Sequence, residues 1–159
     1  MLDMAIEIER KFLVKNLDFK TDAFKKTYVK QGYLNSDRVN TVRVRITNEK
    51  GFITVKGKTN SSGTTRFEWE KEIPKSEAEQ LLILSKTPLV EKTRYYIKND
   101  NLCFEVDEFH GENQGLFLAE IELEDENQSF TKPDWLGKEV TGNFKYYNSY
   151  LSENPFSTW

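Results

Sequence analysis

The chain is poor in the residues that most often announce a site. Its 159 residues include one cysteine, Cys103, and one histidine, His110. A lone cysteine excludes an internal disulfide and fits a reducing cytoplasm. One histidine and one cysteine exclude zinc sites built from several of them, and any dyad of two histidines. No apolar run nears the ~18–20 residues of a membrane helix, so no membrane partner is expected. Asp3 and the lack of a sustained apolar stretch after it predict no secretory signal. Internal repeats, low-complexity runs and long Pro/Gly/Ser linkers are missing too. The expectation is one domain spanning 1–159, long enough to bury a core.

A basic excess is also lacking. There are 23 Lys and Arg against 26 Asp and Glu, a net charge of −3, which argues against nucleic acid as a partner. Charged residues still make up 31 % of the chain and aromatics 13 %, a composition that folds. The informative question is where the two signs of charge segregate.

Most segments alternate with period 2 and are rich in Val, Ile, Thr, Phe and Tyr, the mark of strands. Expected strands are 4–14, 27–34, 39–48, 51–58, 64–73, 90–98, 102–109 and 116–125. Turn residues stand between several of them, as N-E-K-G, N-S-S-G and N-D-N, and short connections imply antiparallel pairing. One helix is predicted after Pro74, with Ser76 and Glu79 as a capping box. A shorter one is expected after Thr141, and 18–26 suits one or two helical turns.

On strand after strand, charges recur at i and i+2. Arg43 and Arg45 share a face opposite Val42, Val44 and Ile46; Lys56 and Lys58 oppose Ile53 and Val55. Arg66, Glu68 and Glu70 oppose Phe67, Trp69 and Ile73, while Glu120 and Glu122 oppose Ala119, Ile121 and Leu123. A sheet with one wet face would also alternate this way. Wet faces, however, mix Ser, Thr, Lys and Glu, whereas here bases cluster on some strands and acids on others. Eight such strands can close into a barrel with the charges inside. A charged lumen repels itself unless a polyanion and metal ions occupy it.

Such a lumen would form a site. Lys11, Arg43, Arg45, Lys56, Lys58, Arg66, Lys92 and Arg94 supply cations for phosphate oxygens. Glu7, Glu9, Glu120, Glu122 and Asp107 supply hard oxygen ligands suited to Mg²⁺ or Mn²⁺. Residues two apart on a strand are separated by ~6.8 Å, so Glu7 and Glu9 suit water-mediated binding or two neighbouring ions.

E-I-E-R-K at 7–11 resembles the N-terminal E-x-E-x-K signature of the CYTH superfamily, the triphosphate tunnel metalloenzymes. The resemblance continues in order through Q-G-Y-L at 31–34, R-V-R at 43–45, T-V-K-G-K at 54–58 and R-F-E-W-E at 66–70. E-K-T-R-Y at 91–95, F-E-V-D at 104–107, A-E-I-E at 119–122 and E-V-T at 139–141 complete it. It implies a mainly β (α+β) fold: a closed eight-stranded antiparallel tunnel with a few short helices packed outside.

The small bacterial members that this chain resembles hydrolyse inorganic tripolyphosphate. The resemblance gives Lys11, Arg43, Arg45, Lys56, Lys58, Arg66 and Arg94 to the phosphates. It gives Glu7, Glu9, Asp107, Glu120 and Glu122 to the metals and attacking water, with Mg²⁺ or Mn²⁺ as cofactor. Lys92 matches the general base and Tyr33 its partner. Lys145-Tyr146 stands where some members carry Arg-Tyr, so Lys145 is left at the edge of the site.

The expected partner is a triphosphate-containing small molecule, and the sequence leaves a homodimer open. Nucleoside or thiamine triphosphatase and class IV-like adenylate cyclase are the related activities. A non-catalytic polyphosphate- or nucleotide-binding module is the reading from another class. His110 and Cys103 are expected outside the chemistry, Trp69 and Trp135 on the barrel exterior, and 153–159 as a docked or frayed tail.

Overall fold

The structure, a computed structural model, describes residues 6–35, 37 and 39–159. Strand β1 spans Ile6–Val14, β2 Lys25–Tyr33, β3 Thr41–Thr47, β4 Lys50–Lys56 and β5 Thr65–Pro74. Then follow β6 at Val90–Asn99, β7 at Leu102–Phe109, β8 at Phe117–Glu122 and β9 at Leu136–Glu139. Eight of them match the expected strands to within a few residues; positions 4 and 5 of the first lie outside the described residues. β9 was not anticipated, because L-G-K-E is too short and polar to show a period.

All pairings are antiparallel, in the order β5-β4-β3-β2-β6-β7-β8-β1-β9, and β5 returns to β1 to close an eight-stranded barrel. One edge of β1 pairs with β8, from Glu9↔Glu122 to Leu13↔Leu118. The other edge is shared. Ile6–Ile8 pair with Phe67–Thr65 of β5, and β9 takes over at Phe12↔Glu139. Between them the Lys11 backbone N–H donates to Thr141 Oγ1 at 3.0 Å, so the E-V-T segment completes the seam.

The register decides which residues share the lumen. Glu7 lies opposite Arg66, Lys11 opposite Glu120, Arg94 opposite Asp107, and Arg43 opposite both Tyr33 and Thr54. With a period of two, the apolar partners must then face out and be covered.

Two clusters cover that outer face. Phe12, Phe104, Val106, Ala119 and Ile121 from β1, β7 and β8 are packed by Phe19 of helix α1 (Phe19–Asp22) and by Trp135. Edge-to-face contacts join Phe104–Trp135 at 5.2 Å, Phe19–Trp135 at 5.9 Å and Phe12–Phe130 at 5.9 Å. Each such pair contributes ~0.5–1.5 kcal/mol beyond its burial. On the other side helix α2 (Lys75–Ile83) lays Ala78 and Leu82, one turn apart, on Val44. A Cβ on Gly51 would stand 2.6 Å from Ala78 Cβ, so glycine is what lets the helix approach β4.

Two expectations need correction here. No side-chain cap bond forms at α2, because Pro74 itself is the N-cap and Ser76 is already helical. Trp135 and Trp69 both lie on the barrel exterior as expected, but only Trp135 is buried; Trp69 is 44 % exposed, since among the described residues no element covers it. The C-terminal helix is broken: a 3-10 turn at Phe144–Tyr146, extended Tyr147, then α3 at Asn148–Glu153.

Nor does that helix pack outside. Leu151 of α3 is buried with Val90, Phe109, Leu116, Leu118 and Val140, with Leu13, Tyr146 and Phe156 against them. Because Val90, Phe109 and Leu118 continue the lumen-facing rows of β6, β7 and β8, the C-terminal segment fills one end of the barrel. The tail is docked: Phe156 N–H donates to Asn113 Oδ1 at 2.8 Å, and Trp159 packs on Tyr146 and Phe156. Gly63 and Gly142, both at positive φ, let the 57–64 loop touch the chain as it enters this segment. A Cβ on Gly63 would lie 2.3 Å from Gly142 Cα. Among the described residues no helix is long and apolar enough to cross a membrane.

Candidate active site

The rest of the lumen is a cavity of about 540 Å³, lined almost wholly by charged and polar side chains. It runs from Tyr147 and Asn148 at the filled end to Asn101–Cys103 and Glu124 at the other. Among the residues expected to form a site, Glu7, Glu9, Lys11, Tyr33, Arg43, Arg45, Lys56, Arg66, Lys92, Arg94, Glu120 and Glu122 all line it. Asp107 lies in the inward-facing row of β7 but does not line the cavity, being fully buried under Lys92 and Arg94. Lys58 does not reach the lumen: β4 ends at Lys56, and Lys58 is exposed in the loop beyond. A period of two cannot show where a strand stops.

Most lumen cations rest on acids. Lys56 Nζ donates to both Glu7 oxygens at 3.0 and 2.8 Å and lies 3.3 Å from Glu68. Arg66 Nε adds a 3.2 Å bond to Glu7. Arg43 and Arg45 share Glu70, at 3.6 and 3.2 Å, and Lys11 meets Glu120 at 3.2 Å. Glu68 and Glu70 thus balance Lys56, Arg43 and Arg45. Among the described residues Arg43 Nε and Arg45 Nε are buried donors without a hydrogen-bond partner, an arrangement that an oxyanion would satisfy.

The most enclosed part surrounds Asp107. Arg94 grips it with a fork, Nε to Oδ1 at 2.7 Å and Nη2 to Oδ2 at 2.8 Å, and also binds Glu105. Lys92 Nζ donates to Asp107 Oδ2 at 2.6 Å. Both Asp107 oxygens are therefore occupied, which suits orienting two cations better than ligating a metal. Burial pushes the Lys92 ammonium down to about 8, with the Asp107 charge opposing and Arg94 assisting. Burial likewise raises the Tyr33 hydroxyl, against the pull of Arg43, Arg66 and Lys11.

The acids differ sharply among themselves. Burial opposes ionisation of Glu7, but Lys56, Glu68 and Arg66 outweigh it and bring the carboxyl down to about 2. Glu9 goes the other way: burial, then the Glu120 and Glu7 charges, push it up to about 7. Glu9 and Glu122 sit directly opposite one another in the β1–β8 ladder. No hydrogen bond or ion pair to the Glu9 side chain occurs among the described residues, and a divalent cation would relieve the repulsion around it. No three His, Cys, Asp or Glu among the described residues converge closely enough to hold an ion unaided. The donor set therefore fits an ion completed by water and phosphate oxygens, as Mg²⁺ commonly is.

Three residues escaped the sequence reading: Asn148 and Tyr147, which line the cavity, and Gln31, fully buried beside it. Asn148 Oδ1 accepts from Lys92 Nζ at 2.8 Å and from Gln31 Nε2 at 3.3 Å, and Gln31 Nε2 also reaches Tyr33 OH at 3.3 Å. The Tyr147 ring lies 5.3 Å from Lys11 Nζ and 5.9 Å from Arg66 Cζ. The only sequence signal for Asn148 was a polar residue one turn from Leu151 on a helix that buries that face. Lys145 turns away, its Nζ 4.3 Å from the Trp159 ring centre. His110 meets Thr93 Oγ1 at 2.8 Å and stacks on Tyr28, outside the cavity, whereas half-buried Cys103 lines its far end.

Fold and site together define a closed antiparallel barrel whose facing acids and bases line one internal cavity of about 540 Å³. The CYTH domain family matches residues 5–150, and the chain belongs to that family. It is 48 % identical over 157 residues to the inorganic triphosphatase of Acetivibrio thermocellus, covering 98 % of this chain and 99 % of that protein. It is 37 % identical over 151 residues to the inorganic triphosphatase of Nitrosomonas europaea, covering 92 % and 96 %. Among solved structures, the inorganic triphosphatase NE1496 superposes with a TM-score of 0.65 at 35 % identity, covering 92 % of this chain and 97 % of that one.

Proposed function

We propose that this protein is an inorganic triphosphatase that cleaves tripolyphosphate to diphosphate and phosphate inside the barrel, using Mg²⁺ or Mn²⁺. The observation that carries the reading is the single charged lumen, where cations, unpaired acid and a depressed lysine line one cavity.

Lys11, Arg43, Arg45, Lys56, Arg66 and Arg94 bind phosphate oxygens, the arginines as forks and the lysines as point charges. Glu9 and Glu122, with Glu7 and Glu120 beside them, would hold the metal. When bound, it neutralises phosphate charge and orients the attacking water. Lys92 accepts a proton from that water at Nζ as its oxygen bonds to the terminal phosphorus. At pH 7 an amine of pKa about 8 is neutral in ~10 % of molecules, enough for a general base. Asp107 fixes the Lys92 side chain, and Tyr33 is linked to Lys92 through Gln31 and Asn148. The phosphoanhydride bond breaks, diphosphate leaves with the bond electrons, and the surrounding cations stabilise its charge.

The test is hydrolysis of tripolyphosphate, ATP, thiamine triphosphate and diphosphate with Mg²⁺ or Mn²⁺, followed as phosphate, diphosphate and cyclic AMP. Tripolyphosphate should turn over fastest, with diphosphate as product. Tight binding of tripolyphosphate without turnover of any substrate would make the protein a binding module instead.

A further inference from the structure

Lys92 is held from two sides, and only one of them belongs to the barrel wall. Asp107, diagonal to it across the β6–β7 ladder, takes one N–H at 2.6 Å. Asn148 Oδ1 takes a second at 2.8 Å, from a residue 56 positions away on the C-terminal helix. The third N–H is left for the cavity, which Lys92 lines. An ammonium on a four-carbon stem has several rotamers, and one acceptor fixes its position poorly. Two acceptors fix it well. The Phe109 ring lies 5.5 Å from Lys92 Nζ, and the Glu120 carboxylate acts on it by charge without a hydrogen bond to it among the described residues.

The depth of Asn148 is itself fixed. Leu151, on the same face one turn later, is buried among Val90, Phe109, Leu116, Leu118 and Val140. Gln31, fully buried on β2, donates to the same Asn148 oxygen and to the Tyr33 hydroxyl. One amide oxygen therefore joins the α3 seat to both members of the expected Tyr33–Lys92 pair.

We propose that Asn148 is a positioning residue for Lys92, so that the seated C-terminal helix sets the geometry of the reacting nitrogen. The inference rests on Lys92 being the base and goes beyond it by giving the tail a part in turnover. Asn148 acts through Lys92 and moves no proton itself.

The test compares Asn148→Ala, Asn148→Asp, Lys92→Ala and the Lys92→Ala/Asn148→Ala double variant, with kcat and KM for tripolyphosphate in Mg²⁺ and the Tm of each. Loss of one hydrogen bond to a charged group predicts a fall in kcat of about 10- to 100-fold for Asn148→Ala, with KM within about threefold. Asn148→Asp keeps an acceptor at the same place but adds a charge that favours the Lys92 ammonium, so kcat should recover at alkaline pH and less at pH 7. In the Lys92→Ala background the Asn148→Ala change should alter kcat by less than about twofold, which a merely structural role would not produce. Wild-type kcat in Asn148→Ala beside a crippled Lys92→Ala would overturn the role of Asn148 alone. An equal loss with and without Lys92 would overturn it as well. Full activity in Lys92→Ala would remove the base assignment and this inference together.

Discussion

The two ends of the lumen are built from the same strand rows, yet they are chemically opposite. Two residues along, Lys11 gives way to Leu13 on β1, Lys92 to Val90 on β6, Asp107 to Phe109 on β7, and Glu120 to Leu118 on β8. At the charged end Lys11, Lys92 and Glu120 border an open cavity, with Asp107 buried beneath Lys92. At the apolar end Leu151, Tyr146 and Phe156 fill the space, so that end is a core rather than a passage. A strand's period tells inside from outside. It does not tell whether the inside is wet, because that depends on what a distant segment brings there.

The comparison can be broken by substitutions at each end. The largest effect belongs to Lys92→Ala at the boundary, where kcat should fall by about 10²–10⁴-fold if the lysine is the base. Phosphate release from tripolyphosphate reads it, and an unchanged rate would remove Lys92 from the chemistry. At the charged end, Lys56→Ala should lower kcat/KM by roughly 10- to 100-fold, through loss of a charged phosphate contact. Thermal melting should show little change beside that, since Glu7 keeps Arg66. Lys58→Ala, two residues on but outside the lumen, should stay within about twofold of wild type. Equal effects from the two lysines would mean that the loop folds inward in the working enzyme.

At the apolar end the currency reverses. Leu151→Ala removes a buried side chain and should destabilise by about 2–5 kcal/mol, a Tm drop of roughly 5–15 °C, with KM nearly unchanged. A large KM change with normal melting would mean that this end binds substrate.

The smallest expected effect is a pH dependence of the metal-free protein. The folded pKa of Glu9, about 7, lies above its ordinary 4.5. Its contribution to stability is therefore full below pH 4.5 and is lost as pH rises through 7. Glu7, lowered to about 2, acts in a separate window, losing its contribution only as pH falls below 4.5. Between pH 5 and 8 the Tm without metal should thus fall by on the order of a few °C, and Mg²⁺ should raise it more at pH 8. An equal Mg²⁺ shift at both pH values would place the metal away from Glu9.

Much of this was legible in the chain. Glu7, Glu9 and Lys11 fall on one face because any strand puts i and i+2 together, and the same rule groups Arg43 with Arg45 and Glu120 with Glu122. Lys58 was misplaced because the rule holds only while the strand continues. β9 was invisible at four residues, and the helix cap at Ser76 was wrong by two positions because Pro74 turned the chain sooner.

By itself the sequence determined the strands, the sign of charge on each and the family to which the chain belongs, since all three follow from local spacing and ordered motifs. Only the tertiary structure decided that the lumen is closed at one end, that Asp107 is occupied by two cations, and that Asn148 and Gln31 reach the Tyr33–Lys92 pair. Those contacts join residues up to 117 positions apart, and no local period encodes a meeting that depends on barrel closure and a docked tail.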